Sequence, residues 1–320
     1  MTAKIYIISG FLGAGKTTLI QKLLREALAG VKTVLVENDF GEAGIDAALL
    51  KSSGVEVAEL NSGCICCSIT GDFVKSLREL LKRFNPEAVL VEPSGVSKLS
   101  DVAAACADPS VTPLAELRGK ITVVDVKRCR MYYDNFGEFF TDQIESADTI
   151  LMSRAETYPE MAETAADLAR SLNARAEILT QPWTQINAAD LLRFDPPERP
   201  AHPEGCECGH SHAHGENHVH DENHAHSHAA GDVFEAVDIR TDRSFTRLEL
   251  QTLAAALPRA AGTVLRAKGV VRGPAGHWNL QYLPGDWQIE PCEAAGGTLS
   301  FVGRDLNRDE LIGLLGGESA

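Results

Sequence analysis

Residues 10–17 of the chain read Gly-Phe-Leu-Gly-Ala-Gly-Lys-Thr. The apolar residues 5–8 before this stretch predict a strand, and residues 18–24 after it predict a helix. A strand, the pattern Gly-x-x-x-x-Gly-Lys-Thr and a helix, in this order, are typical of a phosphate-binding P-loop. A glycine-rich turn that only joins a strand to a helix is the alternative, and the lysine and threonine at these offsets argue against it. The stretch therefore predicts a site for a nucleoside triphosphate.

Each residue type of the P-loop has a chemical role. Glycines let the backbone curl so that successive N–H groups point at an anion, and the start of the helix adds its positive end. Lys16 would reach the β and γ phosphates as a catalytic residue, and the Thr17 hydroxyl would bind Mg²⁺. The residues that we expect to bind the nucleotide here are Gly10, Gly13, Ala14, Gly15, Lys16, Thr17 and Thr18.

Length, composition and charge limit the kinds of protein that this sequence can encode. The 320 residues leave room for two domains, and 44% hydrophobic with 23% charged residues is ordinary for a soluble globular protein. A formal net charge of −15 argues against binding to nucleic acid or to an anionic membrane. No apolar run is long enough to span a bilayer, and a predicted strand begins almost at once, without a signal peptide. Eight cysteines then indicate metal or redox chemistry rather than disulfides, so we expect a cytoplasmic protein.

The predicted strand 88–91 brings a carboxylate to the same edge of the sheet as the P-loop. Glu92 and the turn that reaches Gly95 directly follow this apolar strand. An acid at the end of a buried strand is typical of a Walker B element, which places a carboxylate near Mg²⁺ or its water. We therefore expect Glu92 to be catalytic and the backbone N–H of Gly95 to meet the γ-phosphate.

An acidic segment, residues 37–46, follows the apolar strand 33–36. Carboxylates at the carboxyl end of a strand lie where ligands bind in nucleotide-binding α/β folds, although a solvated acidic turn would look the same. Glu37 and Glu42 are the catalytic candidates for ordering the attacking water, with Asp39 beside them.

Residues 61–67 read Asn-Ser-Gly-Cys-Ile-Cys-Cys and precede a predicted helix. The thiolates of Cys64, Cys66 and Cys67 are soft ligands suited to Zn²⁺ or Cu⁺, and the start of a helix lowers the pKa of a thiol. Three sulfurs do not complete a tetrahedral structural site, so an exchangeable metal site is favoured over a structural zinc. Small core residues are the alternative for these thiols. We assign the cysteines that stand alone to the core: Cys106, Cys129 and Cys292.

Predicted strands and helices alternate along residues 1–195, which we expect to form the first domain. One helix is predicted over residues 17–29, and another has its apolar positions between Phe73 and Phe84. Further strands are predicted at residues 121–125, 149–153 and 177–180. This alternation predicts an α/β fold with a mainly parallel P-loop NTPase sheet and helices on both faces.

Residues 196–232 differ in composition and predict a linker. The start is proline-rich and extended, and the stretch 202–228 holds nine of the ten histidines. Such a polar tract cannot pack a core, whereas neutral imidazoles bind Zn²⁺, Ni²⁺, Co²⁺ and Cu²⁺ alike. A solvated linker that binds metal only adventitiously is the alternative. The expected metal ligands are His210, His212, His214, His218, His220, His224, His226 and His228.

Regular patterns return in residues 233–320. An amphipathic helix is predicted over residues 245–257, with an apolar face of Leu248, Leu250, Leu253 and Leu257. Strands are predicted at residues 234–239, 264–267, 278–283 and 299–302, followed by a short helix at 311–315. These elements predict a small α+β domain with an antiparallel sheet.

Four motifs occur in the order found in CobW-type P-loop GTPases, which are relatives of the urease and hydrogenase nickel-insertion GTPases. They are the P-loop, residues 37–46, residues 63–67 and residues 92–95. Residues 266–269 and 301–306 resemble the CobW C-terminal domain, so the resemblance covers nearly the whole chain outside the linker. The combination is specific, whereas a P-loop alone would not be.

The resemblance implies GTP hydrolysis coupled to metal handling. It implies that Cys64, Cys66 and Cys67, together with Glu37, bind a transition metal between two nucleotide-sensing segments. Zinc is favoured, cobalt and nickel stay open, and the metal would go to a client metalloprotein or a cofactor pathway of the cobalamin-synthesis kind. The expected cofactors are therefore GTP, Mg²⁺ and Zn²⁺. Nucleic acid and membrane are not expected as partners, and a homodimer stays open.

One motif departs from the family. The family reads guanine with Asn-Lys-x-Asp after the strand that ends here at residue 152, and this chain has Ser153-Arg154-Ala155-Glu156. Glu156 can accept two hydrogen bonds from the guanine edge with one more methylene of reach, whereas Ser153 lacks the amide that braces the loop. We expect Ser153, Arg154 and Glu156 to bind the nucleotide, with GTP favoured over ATP.

The sequence thus favours a GTP-hydrolysing metallochaperone. Bound GTP would order residues 37–46 and 92–95 on the γ-phosphate and draw the three thiols together, and hydrolysis would release the metal. Two alternatives stay open: a nucleotide-regulated metal buffer without delivery, and an ATP-dependent metabolic enzyme such as a kinase. Metal-stimulated hydrolysis would distinguish the favoured function from both.

Overall fold

A seven-stranded parallel sheet forms the first part of the fold. The computed structural model describes residues 2–37, 56–59, 71–192 and 233–316. The strands of this sheet are β1 (Ala3–Gly10), β2 (Thr33–Glu37), β3 (Glu56–Glu59), β4 (Ala88–Glu92), β5 (Ala115–Asp125), β6 (Thr149–Ser153) and β7 (Glu177–Leu179). They pair in the order β3-β2-β4-β1-β5-β6-β7, and every pair is parallel. The central strand, β1, therefore ends at the P-loop.

Helices cover both faces of this sheet. They are α1 (Lys16–Glu26), α2 (Gly71–Phe84), α3 (Leu99–Cys106), α4 (Cys129–Glu145), α5 (Pro159–Leu172) and α6 (Ala188–Leu191). Because side chains alternate along a strand, Ile5 and Ile7 of β1 pack with α2 to α5, whereas Tyr6 and Ile8 pack with α1 and α6. The prediction of a mainly parallel P-loop NTPase sheet with helices on both faces is confirmed.

A second, antiparallel sheet forms the C-terminal domain. Its strands are β8 (Glu235–Arg240), β9 (Thr263–Gly273), β10 (Gly276–Leu283), β11 (Asp286–Cys292) and β12 (Thr298–Arg304), and its helices are α7 (Arg247–Ala256) and α8 (Arg308–Leu314). The strand order is β11-β10-β9-β12-β8. Leu250 and Leu253 of α7 and Leu311 of α8 share one core with this sheet. The predicted small α+β domain is confirmed.

The longest helix in the described part of the chain, α4, is not among the elements predicted from the sequence. Its 17 residues include several aromatic residues and Gly137, which are weak helix formers, and the backbone leaves helical geometry at Phe136. The helix forms because Tyr132, Phe136 and Phe139 are buried in the core, and this burial outweighs the weak propensity. The strands β3 and β11 and the helix α3 are missed as well, and α1 ends at Glu26 rather than at residue 29.

Two expectations about single residues are wrong. Leu248 was expected on the apolar face of its helix, but it is 71% exposed because it lies on the side of α7 turned away from the sheet. Cys292 was expected in the core, but it is only partly buried because it ends the edge strand β11. Cys106 and Cys129 are buried as expected, and burial raises the pKa of each thiol to about 12.

The C-terminal domain joins the first domain at an aromatic cluster. Phe234, which directly precedes β8, is 1% exposed, and its ring centroid lies 5.0 Å from that of Phe139 and 5.4 Å from that of Phe136. Both partners belong to α4, so this helix connects the two domains. The division into residues 1–195, 196–232 and 233–320 stays a prediction, since the proposed linker lies outside the described residues.

Candidate nucleotide-binding site

The P-loop depends on glycines whose backbone conformation other residues rarely adopt. Gly10, Gly13 and Gly15 have φ angles of 140°, 68° and 108°. A Cβ atom on Gly10 would lie 2.3 Å from the carbonyl oxygen of Val123 in β5, so this position has no space for a side chain. Gly15 is the left-handed residue directly before α1. The loop therefore curls as a phosphate cradle requires.

The side chain of Lys16 lies beside this loop. Its side chain is 7% exposed, and its Nζ donates a hydrogen bond of 3.1 Å to the carbonyl oxygen of Gly10. The same Nζ lies 4.0 Å from Oε1 of Glu92. A neutral acceptor and a carboxylate thus hold the ammonium beside the backbone that would surround a phosphate.

Thr17 and Glu92 bring two oxygen atoms together beside Lys16. The Thr17 hydroxyl donates a hydrogen bond of 3.4 Å to Oε1 of Glu92. Glu92 is the last residue of β4, and Glu37, the last residue of β2, is its register partner. Hydroxyl and carboxylate oxygens are ligands that Mg²⁺ prefers, so the side chains of Thr17 and Glu92 fit this ion.

The turn after β4 is fixed against the P-loop. A Cβ atom on Gly95 would lie 2.8 Å from the backbone nitrogen of Leu12, so the close approach requires a glycine. Gln143 of α4 is buried, and its Nε2 donates to the carbonyl oxygens of Gly95 at 3.1 Å and Ser97 at 2.9 Å. The helix that the sequence analysis misses therefore positions this turn. Contact between the Gly95 N–H and a γ-phosphate stays a prediction.

A cavity of about 580 Å³ extends from the P-loop. Residues 13–18, Glu92 and residues 152–157 line it. Residues 181–183, which follow β7, and residues of the C-terminal sheet complete the wall. Small-molecule sites measure roughly 300–1,000 Å³, so the volume suits a nucleotide.

The turn after β6 places the residues expected to read the base in the wall of the cavity. Ser153 is buried, whereas Arg154 and Glu156 line the cavity from less buried positions. Arg154 has a φ of 61°, and its carbonyl oxygen accepts a hydrogen bond of 3.0 Å from the N–H of Thr157. This bond closes the short turn that contains Glu156.

Trp183 also lines the cavity, although the sequence analysis does not single it out. Its Nε1 donates a hydrogen bond of 2.9 Å to the carbonyl oxygen of Met152, and its ring lies 3.5 Å from where a Cβ atom on Gly15 would be. The ring therefore lies between the P-loop and the base turn, where an aromatic face can stack on a ligand. A signal was available, because Trp183 follows the predicted strand 177–180 at the carboxyl edge of the sheet.

Two arginines and two aspartates connect the base turn to the C-terminal domain. Arg128 donates from Nη1 to Asp125 at 2.5 Å and from Nη2 to Asp286 at 3.4 Å. Nη1 of Arg154 lies 3.4 Å from Oδ2 of Asp125 and 3.2 Å from Oδ2 of Asp286. Burial disfavours the charged form of Arg128, but the carboxylate of Asp125 more than offsets this, so the pKa of Arg128 is raised above its ordinary value. The sequence gives no signal for this group, because Asp286 reaches it only through domain packing.

The structure brings most of the predicted nucleotide-binding residues around one cavity. Gly10 and Gly95 instead support the P-loop through its backbone, and Glu37 is buried at the end of β2. The other predicted site residues lie outside the described residues: Glu42, Cys64, Cys66, Cys67, His210, His212, His214, His218, His220, His224, His226 and His228. In the part of the chain that the structure describes, no group of three or more His, Cys, Asp or Glu residues could hold a metal ion. No helix of that part has the length and apolar character of a membrane span.

Two family models match the chain. The model of the CobW/HypB/UreG nucleotide-binding domain matches residues 4–180. The model of the cobalamin synthesis protein CobW C-terminal domain matches residues 234–317. The first match alone covers more than half of the chain.

Similar proteins agree with these matches. The zinc chaperone YeiR from Escherichia coli strain K12 is 28% identical over 306 residues, which are 90% of this chain and 89% of that protein. The zinc chaperone CobW from Sinorhizobium sp is 34% identical over 178 residues, and the match spans 47% of this chain and 50% of that protein.

Solved structures provide two further likenesses. The zinc-bound YjiA GTPase from E. coli has 17% identity and a TM-score of 0.43, with 100% of both chains covered. The hydrogenase maturation factor HypB from Archaeoglobus fulgidus has 19% identity and a TM-score of 0.44, with 60% of this chain and 87% of that chain covered. On the family matches, which include the P-loop and the C-terminal sheet, this chain belongs to the CobW/HypB/UreG family and carries a CobW C-terminal domain.

Proposed function

We propose that this protein hydrolyses a nucleoside triphosphate, with GTP favoured over ATP, and thereby delivers a transition metal to a client metalloprotein or cofactor pathway. Zinc is the favoured metal, with cobalt and nickel as alternatives. Family membership and the relatives named zinc chaperones support the proposal. The observation that carries it is the cavity, because Lys16, Thr17 and Glu156 all line it.

The P-loop end of the cavity suits the β and γ phosphates. Lys16 would exchange the carbonyl oxygen of Gly10 for phosphate oxygens, and the glycine N–H groups would surround the phosphate. Mg²⁺ held by Thr17 and Glu92 would neutralise charge on the phosphates. Glu37 and the segment after it would order the attacking water. Catalysis of this kind relies on positioning and electrostatics.

Glu37 also offers a link between the nucleotide and the metal. Glu37 and Glu92 are register partners at the ends of neighbouring strands, so the segment after Glu37 begins at the nucleotide edge of the sheet. A change at the γ-phosphate could then move residues 37–67, which carry the thiols of Cys64, Cys66 and Cys67. Glu37 and these thiols form the proposed metal site, and the histidines of residues 202–228 would bind further ions.

We propose the cytoplasm as the site of action, because thiol ligands stay reduced there. The net charge of −15 supports a protein partner rather than nucleic acid or an anionic membrane.

Phosphate release from GTP and from ATP, with and without Zn²⁺, tests the proposed hydrolysis. Lys16→Ala should lower turnover by three powers of ten or more, on the order of 4 kcal/mol, because the charge on the β and γ phosphates is lost. Lys75→Ala, which removes an exposed lysine of α2, is the matched control and should leave turnover unchanged. Wild-type turnover in Lys16→Ala would contradict the P-loop assignment.

Delivery is tested by mixing the zinc-loaded protein with a metal-free zinc enzyme. Recovery of that enzyme's activity should require GTP, and a non-hydrolysable analogue should not replace it. A metal buffer would release zinc without dependence on hydrolysis. A metabolic kinase would hydrolyse little nucleotide unless a phosphate acceptor was added, and zinc would not stimulate it.

A further inference from the structure

The C-terminal domain forms one wall of the nucleotide cavity. Lining residues come from β9, from the end of β10 and from the start of β11. The last two strands are joined by the tight turn Pro284-Gly285, in which Gly285 has a φ of 73°. We call residues 283–286 the hairpin tip.

The hairpin tip contacts the P-loop directly through Leu283. A Cβ atom on Gly13 would lie 2.1 Å from Cδ1 of Leu283. The absent side chain of this glycine therefore leaves space for the C-terminal domain beside the phosphate cradle. A nucleotide in the cavity would have the hairpin tip as its neighbour.

Hydrogen bonds from the buried side chain of Arg128 connect the hairpin tip to the first domain. Its side chain is 3% exposed, and its Nε donates a hydrogen bond of 3.3 Å to the carbonyl oxygen of Pro284. Its Nη2 donates to Asp286 at 3.4 Å, and its Nη1 donates to Asp125 at 2.5 Å. Because the planar guanidinium binds these three acceptors at once, the hairpin tip has a defined position relative to β5.

Asp286 also contacts the base turn. Nη1 of Arg154 donates a hydrogen bond of 3.2 Å to Oδ2 of Asp286. The backbone of Arg154 has a φ of 61°, and its carbonyl oxygen closes the turn by accepting from Thr157. Holding the Arg154 side chain therefore restrains the turn from which Glu156 lines the cavity.

We propose that Asp286 is a positioning residue of the nucleotide site, which holds Arg154 and, through it, the turn that reads the purine base. This inference rests on the proposed binding of a nucleoside triphosphate in the cavity. If Asp286 has this role, the C-terminal domain contributes to nucleotide selection through the Asp286 carboxylate.

The fold should tolerate the loss of the Asp286 charge. The side chain is 41% exposed, and Asp125 contacts both Arg128 and Arg154. Removal of the Asp286 charge therefore leaves a carboxylate beside both arginines. We expect Asp286→Asn, which conserves the side-chain volume, to fold with an unchanged melting temperature.

The test is calorimetric binding of GTP, ATP and inorganic triphosphate to four full-length proteins. They are the wild type, Asp286→Asn, Asp286→Glu and Glu290→Gln. Inorganic triphosphate carries the phosphate chain of a nucleotide without the base, so it probes the P-loop contacts alone. Asp286→Asn should weaken binding of the preferred nucleotide about threefold to tenfold, the range for a partly exposed ion pair within a network, and leave inorganic triphosphate binding unchanged.

Asp286→Glu should restore most of the lost affinity, because it restores the charge. Glu290→Gln is the matched control on the same strand, at an exposed position away from the cavity, and should bind all ligands as the wild type does. Unchanged nucleotide affinity in Asp286→Asn would overturn the inference and leave the proposed function standing. An equal loss for nucleotide and inorganic triphosphate would also overturn it, since a general disturbance of the site would then explain the effect. A wild type that binds none of the three ligands would overturn the proposed function together with the inference.

Discussion

The ring of Phe11 in the P-loop packs edge to face against the ring of Phe234, with centroids 6.3 Å apart and ring planes at 68°. Both side chains are 1% exposed. On its other side Phe11 contacts Tyr132 of α4, with centroids 4.3 Å apart, and the Tyr132 hydroxyl donates to the carbonyl oxygen of Leu12. The P-loop therefore rests on an aromatic cluster to which the C-terminal domain contributes.

Replacing Phe234 by alanine should destabilise the whole protein. The substitution removes a fully buried ring that contacts Phe136 and Phe139, so the free energy of unfolding should fall by about 3–5 kcal/mol. Urea unfolding followed by circular dichroism measures this change. Leu248→Ala is the control. Because the Leu248 side chain is 71% exposed, its removal should lower the free energy of unfolding by less than about 0.5 kcal/mol. Equal losses in the two variants would show that Phe234 does not join the domains.

The sequence predicts the P-loop and the residues around its cavity where a local pattern is sufficient. Lys16 and Thr17 end a Gly-x-x-x-x-Gly-Lys-Thr pattern between a strand and a helix, and this context is typical of a P-loop at the carboxyl end of a parallel strand. Glu92 is predictable for the same reason, because the apolar strand before it must be buried. Periodicity and strand ends carry this information without reference to distant parts of the chain.

Features that depend on tertiary packing escape such an analysis. The helix α4 has weak helix formers and a non-helical Phe136, and it forms because its aromatic residues fill the core. Asp286 lies in a hairpin far along the chain, and it reaches Arg154 only when the two domains pack together. No local sequence pattern predicts this contact between the two domains.

Glu156 should determine the preference between GTP and ATP. Glu156→Ala removes the carboxylate that we expect to accept two hydrogen bonds from the guanine edge. The affinity for GTP relative to that for ATP should therefore fall tenfold or more. The affinity for ATP should change little, since the P-loop contacts stay in place. Competition of both nucleotides against a fluorescent GTP analogue measures the ratio, and Glu160→Ala, an exposed acid in the first turn of α5, is the control. Equal affinities in the wild type would instead indicate a site that accepts either purine.

The buried thiols of Cys106 and Cys129 should resist alkylation in the folded protein. Burial raises their pKa values to about 12, so very few molecules carry either thiolate at pH 8. Iodoacetamide labelling followed by peptide mapping should modify Cys292, which is partly exposed, well before either of them. Labelling of Cys106 as fast as Cys292 in native buffer would contradict this expectation.

The same two thiols should make stability depend on alkaline pH. An unfolded thiol ionises with its ordinary pKa of 9.0, whereas the folded thiols do so only at about 12. The unfolded state therefore loses its protons first, and the free energy of unfolding should decrease as pH rises from about 9 to about 12. Urea unfolding of Cys106→Ala across this range should show a weaker decrease than the wild type does.

The last prediction separates the two proposed metal sites. Deletion of residues 202–228 should lower the number of Zn²⁺ ions bound and leave one tighter site whose affinity depends on the nucleotide. Changing Cys66 and Cys67 to serine should have the opposite effect, with many ions still bound and the nucleotide dependence lost. The reason is that a polar tract must lose chain entropy around every ion that it wraps, so its sites should be numerous and weak.

The residues between Glu37 and Glu92 differ from that tract, because both of their ends are held at the nucleotide edge of one sheet by β2 and β4. Their geometry can therefore follow the γ-phosphate, and hydroxyls in place of thiolates would weaken zinc binding without emptying the nucleotide pocket. Zn²⁺ titrations measure the number of ions bound and the dependence of the affinity on the nucleotide. Each of the three proteins is titrated with GDP, with a non-hydrolysable GTP analogue and without nucleotide. The control is nucleotide affinity in the absence of Zn²⁺, which should be the same in all three proteins because the P-loop is unchanged. If the serine variant kept nucleotide-dependent zinc binding, the coupling would have to run through other residues, and the link from Glu37 to the thiols would be wrong.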